Sequence, residues 1–201
     1  MRQESANPPP PNMIEWIKIW GSALFRPTPA GYAAAFGAVQ PHRATAMAWL
    51  VTGGIVAAIV NLISYTAPPE FVLVVMACVL PLNAFIYAAL TIFTARGALW
   101  IASQMERDVD RSTHFDRLFY ALAAINAPMS MLSALAYLLP FPLSNLLAYT
   151  LSIYWMYLTV LAVKTLLGLS WGRAAAASAV FIAASLLVVV LGVGVAMMPP
   201  V

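Results

Sequence analysis

Five long apolar runs dominate the chain: 44–66, 71–95, 118–139, 143–167 and 174–198. None contains an acidic residue, and the only base, Lys164, lies close enough to an end for its ammonium group to reach water. A helix needs about 20 apolar residues to cross about 30 Å of hydrocarbon, and every run meets that length. Inside lipid each backbone N–H must be paired within its own segment, so runs of this kind are predicted to be helices. They are too continuous for the alternating strands of an outer-membrane barrel. The pattern predicts an all-α integral membrane bundle of five transmembrane helices over residues 44–198.

Between the runs the punctuation is sharp. Ala67-Pro68-Pro69-Glu70 and Pro140-Phe141-Pro142 are tight turns, because proline cannot continue a helix through them. Residues 168–173 form another short link, and only 96–117 is a longer, strongly charged loop.

Ahead of the first run, residues 1–11 end in Asn7-Pro8-Pro9-Pro10-Pro11 and are predicted to be a flexible, Pro-rich region with a stiff polyproline spacer. Asn12 is a suitable helix N-cap, and Met13, Trp16, Ile17, Trp20 and Leu24 follow at helical spacing, with Glu15 and Lys18 off that stripe. Arg26-Pro27 stops the pattern. Residues 12–26 are too short to span and are predicted to form an interfacial amphipathic helix lying in the membrane surface. Docking of the same helix onto the bundle or onto a partner is the rival reading, and the two are compatible. Trp16, Trp20 and Phe25, with Trp171 beside the last link, are the candidate membrane-interface or partner contacts.

Composition confirms the solvent and orients the chain. Hydrophobic residues make up 63% of the 201 and charged residues only 8%, against about 25% charged in a typical soluble domain. All ten Lys and Arg fall before the first run, around the second-to-third loop, or around the fourth-to-fifth link. With five crossings these regions share one side, and the opposite side has none. The positive-inside rule then predicts a cytoplasmic N-terminus and a C-terminus on the periplasmic or external side. Trp49, Trp100 and Trp171 fall near the cytoplasmic interface, with Tyr65 and Tyr137 near the other, where amphipathic rings prefer to sit. The net charge of +3 contains no Lys/Arg cluster, so no nucleic-acid partner is expected. The first forty-odd residues lack the short apolar core and cleavage site of a secretory signal, so the N-terminus is expected to be retained. Minimal loops and alanine-rich spans point to a bacterial cytoplasmic (inner) membrane.

Candidate chemistry is sparse. An enzyme or pump working inside the membrane needs ionisable groups there, and none lies near a helix centre. Asn61, Asn83 and Asn126 are expected to make interhelical hydrogen bonds. Pro81 and Pro128 interrupt the second and third runs as helix kinks. Cys78 is expected to be a reduced, packed thiol. Glu106, Asp108, Asp110, His114 and Asp116 resemble an oxygen-and-imidazole cation site. The interleaved Arg107, Arg111 and Arg117 favour a solvated, salt-bridged interaction loop instead. His42 reads as an interfacial residue. No nucleophile–base pair, phosphate loop or dinucleotide fingerprint occurs. No catalytic, cofactor-binding or metal-ligating residue is therefore assigned. Gly192 with Ala196, and Ala179 with Ala183, have spacing that permits close helix packing.

Several stretches together resemble the Yip family, the five-span proteins named for interacting with Ypt/Rab GTPases. Trp20-Gly21-Ser22-Ala23-Leu24-Phe25-Arg26-Pro27 is similar to the segment leading into that family's first span. Phe115 to Pro128, ending Ala127-Pro128, resembles the opening of its third span. Ile153-Tyr154-Trp155 through Gly168-Leu169-Ser170-Trp171-Gly172-Arg173-Ala174 resembles its fourth helix, short turn and fifth helix. Where members often carry paired glycines before the third span, this chain has the charged Asp108–Asp116 segment. The resemblance implies a non-enzymatic adaptor, scaffold or accessory subunit that binds membrane or peripheral proteins; the theme of eukaryotic members is vesicle traffic and membrane shaping. The alternative is a small transporter or lipid-handling protein with a cavity around Pro81, Pro128 and Asn126. An enzyme working at the acidic loop is the third reading.

Overall fold

The computed structural model describes residues 12–37, 41–64, 77–78, 80–106, 111–179 and 182–183. Among these the chain is helical, with no strand. Helix α1 (Met13–Phe25) starts on a capping box: the Glu15 N–H donates to Asn12 Oδ1 at 3.0 Å, and the Asn12 N–H donates to Glu15 Oε2 at 2.8 Å. Thr28 caps the single turn α2 (Pro29–Tyr32), which runs on into a π-helical turn over Ala33–Gly37.

Among the described residues four helices are long and apolar enough to cross a membrane: α3 (Arg43–Ser64), α4 (Leu80–Met105), α5 (Arg111–Ala136) and α6 (Leu143–Leu167). A shorter α7 covers residues 171–179. The predicted fifth span continues from there to 198; beyond 182–183 it lies outside the described residues, as do the Pro-rich start and the turn at 67–70.

Helix α5 is the hub. It buries 72% of its spanning segment, against 39%, 39% and 28% for α3, α4 and α6. From Leu118 to Ile125 every residue is buried, so helices pack on it from all sides. Small residues set the closest approaches. A Cβ on Gly53 of α3 would sit 2.8 Å from the backbone of Ala127 on α5, and one on Gly54 would sit 2.9 Å from Ala84 on α4. Without a solvent-driven hydrophobic effect between helices in lipid, such contacts and their dispersion energy hold the bundle together. On α4, Ala84, Ala88, Thr91, Ala95, Ala98 and Ala102 form the buried stripe at spacings of three and four.

Two boundaries differ from expectation. Helix α4 runs to Met105, ten residues past the expected end at Ala95, and α5 begins at Arg111 rather than Leu118. The expected charged loop thus gives residues 96–105 to α4 and 111–117 to α5, and 107–110 lie outside the described residues. Ala98, Leu99 and Ala102 extend the buried stripe beyond the apolar run, so packing prolongs a helix that hydropathy alone ends early. Residue 79, directly ahead of Leu80, lies outside the described residues, and with it the kink expected at Pro81. Pro128 does lie inside its helix, α5, as expected. Cys78, expected to be packed, is exposed. Helix α6 ends on Gly168, whose φ of 68° is the left-handed C-cap that glycine adopts without a Cβ penalty.

Candidate functional site

Three polar or aromatic assemblies are built on this frame. The first seats the N-terminal segment. Helix α1 packs on α5, with Trp16, Ile19, Trp20, Ala23 and Leu24 against the core. Trp49 of α3 receives Trp16 and Trp20 edge-on, at ring distances of 6.1 and 6.3 Å, and lies 4.7 Å from Tyr120 of α5. A helix leaves its last carbonyls unpaired, and here tyrosine hydroxyls satisfy them. Tyr32 donates to the Ala23 carbonyl at 2.8 Å, Tyr154 of α6 to that of Leu24, and Tyr157 of α6 to that of Pro27 at 3.0 Å. Burial, reinforced by the neighbouring Tyr154 and Tyr157, pushes the Tyr32 hydroxyl well above its ordinary pKa. It stays a donor.

The stripe expected along α1 is divided. Trp16, Trp20 and Leu24 face the bundle, whereas Met13 and Ile17 face outward with Ile14 and Phe25, at 75%, 60%, 66% and 81% exposure. The helix therefore has three faces: one docked, one bare and apolar, and a narrow polar one with Glu15, Lys18 and Ser22.

The second assembly is a ring of ionic and cation–π contacts at the Lys/Arg-bearing end. Arg43 pairs with Asp116, and Arg173 pairs with Glu106. The Arg43 and Arg96 guanidinium groups each lie 5.6 Å from the Phe115 ring. Trp171 is stacked 6.2 Å from Tyr157, with the Lys164 ammonium 5.3 Å from its ring. Glu106 and Asp116 are thus paired with arginines from other helices, while Arg107 and the side chain of Arg111 lie outside the described residues. Among the described residues no three His, Cys, Asp or Glu side chains come together; Asp108 and Asp110 lie outside them.

The third assembly is a cleft of about 490 Å³ over α5, between α4 and α6. Those two helices both pack on α5 and scarcely touch each other. Asn83, Tyr87, Thr91 and Thr94 line it from α4, and Asn126, Ser130 and Ser133 from α5, with Tyr137 just past its end. Ser152 and Trp155 contribute from α6. Its floor is a chain of hydrogen bonds across three helices. The Trp155 indole N–H donates to Asn126 Oδ1 at 2.7 Å, and Asn126 Nδ2 donates to Thr91 Oγ1 at 2.8 Å.

Of the residues singled out by sequence, Asn126 makes the expected interhelical bonds and Asn83 joins it in the cleft. Pro81 and Pro128 do not line it, and neither does Asn61. The tryptophans Trp16 and Trp20 meet at a ring distance of 6.4 Å, Trp171 belongs to the ionic ring, and Phe25 stands alone and exposed. Apart from Tyr137, the tyrosines, serines and threonines of the cleft are not among the residues singled out by sequence. Their signal was present: positions 83, 87, 91 and 94, and positions 126, 130, 133 and 137, are each one polar stripe at helical spacing inside an apolar run.

A model of the Yip1 domain matches residues 22–193. No curated protein matches the chain. No solved structure matches it either.

Proposed function

The chain belongs to the Yip1 domain family, and from that premise we propose that it is a non-enzymatic, multi-pass membrane adaptor or accessory subunit. In this reading residues 174–198 complete a fifth span, the N-terminus is cytoplasmic and the C-terminus external, and the membrane is a bacterial inner membrane. The ten-to-zero division of Lys and Arg between the two sides supports that orientation.

One observation carries the adaptor reading. At 26 residues α4 is about 39 Å long, more than the hydrocarbon thickness needs. Its excess falls past Arg96, where nine residues span about 13 Å between Arg96 and Glu106, the two members of the ionic ring that flank them. That extension carries Trp100 at 56% exposure and Met105 at 40%, and the neighbouring link carries Trp171 at 47%. An aromatic, polar-rimmed platform outside the membrane suits a protein partner, since buried aromatic and arginine side chains dominate interface energies. The bare apolar face of α1 would lie in the membrane surface beside it.

A photoreactive amino acid placed at Trp100 or Trp171 in living cells tests this. It should give one stoichiometric protein adduct, while the same group at Phe93, on the outer face of the span, gives lipid adducts only. Lipid adducts alone at all three positions would sink the adaptor reading.

A further inference from the structure

We infer that the cleft between α4 and α6 is a binding site for a membrane lipid with an uncharged, hydroxyl-bearing head group. The inference stands apart from the adaptor reading and rests on hydrogen-bond polarity, charge and the direction in which the cleft opens.

Polarity comes first. Each hydroxyl has a single proton to give. Thr94 gives its proton to the Leu90 carbonyl, Ser130 to that of Ala127 and Ser152 to that of Ala148, at 2.7 to 2.8 Å. Thr91 gives its proton to the Tyr87 carbonyl at 2.8 Å and already accepts from Asn126. With their protons turned back onto their own helices, these four groups offer the cleft oxygen lone pairs, while Asn83, Tyr87, Ser133 and Tyr137 bring amide and hydroxyl groups that can donate as well as accept. A wall of both kinds is complementary to a ligand that donates and accepts, which means hydroxyl groups.

Charge narrows the class. Among the described residues no Lys, Arg, His, Asp or Glu lines the cleft. A phosphate would bring negative charge to a wall with no counter-ion among the described residues. An ammonium group would find donors matched but its charge uncompensated. Burying either ion unpaired in a low-dielectric site is costly. Glycerol or sugar hydroxyls meet neither obstacle.

The opening identifies a lipid rather than a dissolved polyol. Asn126 lies ten residues from both Asp116 and Ala136, about 15 Å along the helix each way, near the middle of the span. From there the polar stripe of α5 runs through Ser130 and Ser133 to Tyr137 at the end of the span opposite the arginines. The cleft opens sideways between α4 and α6, whose outer faces carry exposed Leu82, Phe85, Leu147 and Ile153. A head group can follow the stripe while its acyl chains stay in the surrounding hydrocarbon.

The test uses the full-length protein in lipid nanodiscs with two probes that share one diazirine-bearing acyl chain: a diacylglycerol and the corresponding phosphatidic acid. Diacylglycerol should label peptides of α4 and α6 lining the cleft at least fivefold more than phosphatidic acid. Ala148→Trp, which fills the wall, should lower that labelling at least tenfold; Ser133→Leu, a milder change, should lower it severalfold. Both should keep the melting temperature and any Trp100 adduct. Equal labelling by the two probes, labelling unaffected by Ala148→Trp, or competition by free glycerol would overturn the proposal. So would quantitative cross-linking, in a Cys78→Ser background, between cysteines at Ser152 and Val190, which would place the chain's own last run in the cleft.

Discussion

Trp155 and Asn126 are joined at 2.7 Å across the α5–α6 interface, and the same asparagine reaches Thr91 on α4 at 2.8 Å. One side chain thus ties three helices near mid-membrane. Asn126→Ala leaves an indole N–H without its acceptor and Thr91 without its donor. Individual interhelical hydrogen bonds in membranes contribute about 0.6 kcal/mol, so the loss of both should cost about 1–2 kcal/mol. Unfolding of the purified protein in mixed detergent micelles would measure it. A variant as stable as the parent would mean that the bonds contribute nothing beyond what the unfolded chain recovers.

Packing at the α3–α5 crossing makes a larger demand. The Cβ added by Gly53→Ala would stand 2.8 Å from both Cα and O of Ala127, which are backbone atoms that cannot rotate away. Overpacking of this kind costs about 1–3 kcal/mol. Gly21→Ala in α1 is the control, because nothing lies within 4 Å of its added methyl group. That change should be neutral or stabilising by up to about 1 kcal/mol through helix propensity. Thermal melts of the two variants should move in opposite directions or differ clearly in size.

How far the sequence discloses this architecture depends on the feature. Apolar length alone marks the start of α3 and both ends of α6 almost to the residue, because a span must be uniformly apolar and its ends are capped by charges or turns. It misplaces the inner end of α4, because Ala98, Leu99 and Ala102 continue a buried stripe among polar neighbours. On α1 the helical stripe is visible, but a single stripe does not distinguish the face that packs on Trp49 from the adjoining face that carries Ile14 and Phe25. Two apolar sectors of one helix look alike until a neighbour covers one. The cleft was hidden for a different reason. Serine and threonine are common in spans because they bond their own helix, so Thr91 or Ser130 alone attracts no notice, and only juxtaposition of the α4 and α5 stripes makes a polar wall.

Alkali should loosen the N-terminal segment in a defined window. Tyr32 donates to the Ala23 carbonyl, and burial raises its pKa well above the ordinary value. In the unfolded chain the phenol ionises near pH 10. The folded state holds the proton more tightly, so the stabilisation is complete below about pH 10 and is lost as pH rises above it. Hydrogen-exchange protection of residues 13–37, corrected for the intrinsic rate, should be flat from about pH 6 to 9 and fall above about 10. Tyr32→Phe should remove most of that fall; an unchanged profile would assign the alkaline transition to another group.

Tyr154 and Tyr157 separate docking of the N-terminal segment from stability of the bundle. Their hydroxyls, on α6, donate to the carbonyl of Leu24, in the last turn of α1, and to that of Pro27, just past its end. Their rings can remain in place when the hydroxyls are removed. Tyr154→Phe with Tyr157→Phe should therefore free residues 13–37 locally, raising their amide exchange by about 10-fold for roughly 1.4 kcal/mol of lost hydrogen bonding. Exchange in α5, whose spanning segment is 72% buried, should not change. Faster exchange throughout the bundle would instead show that the N-terminal segment is an integral part of the membrane core and unfolds with it.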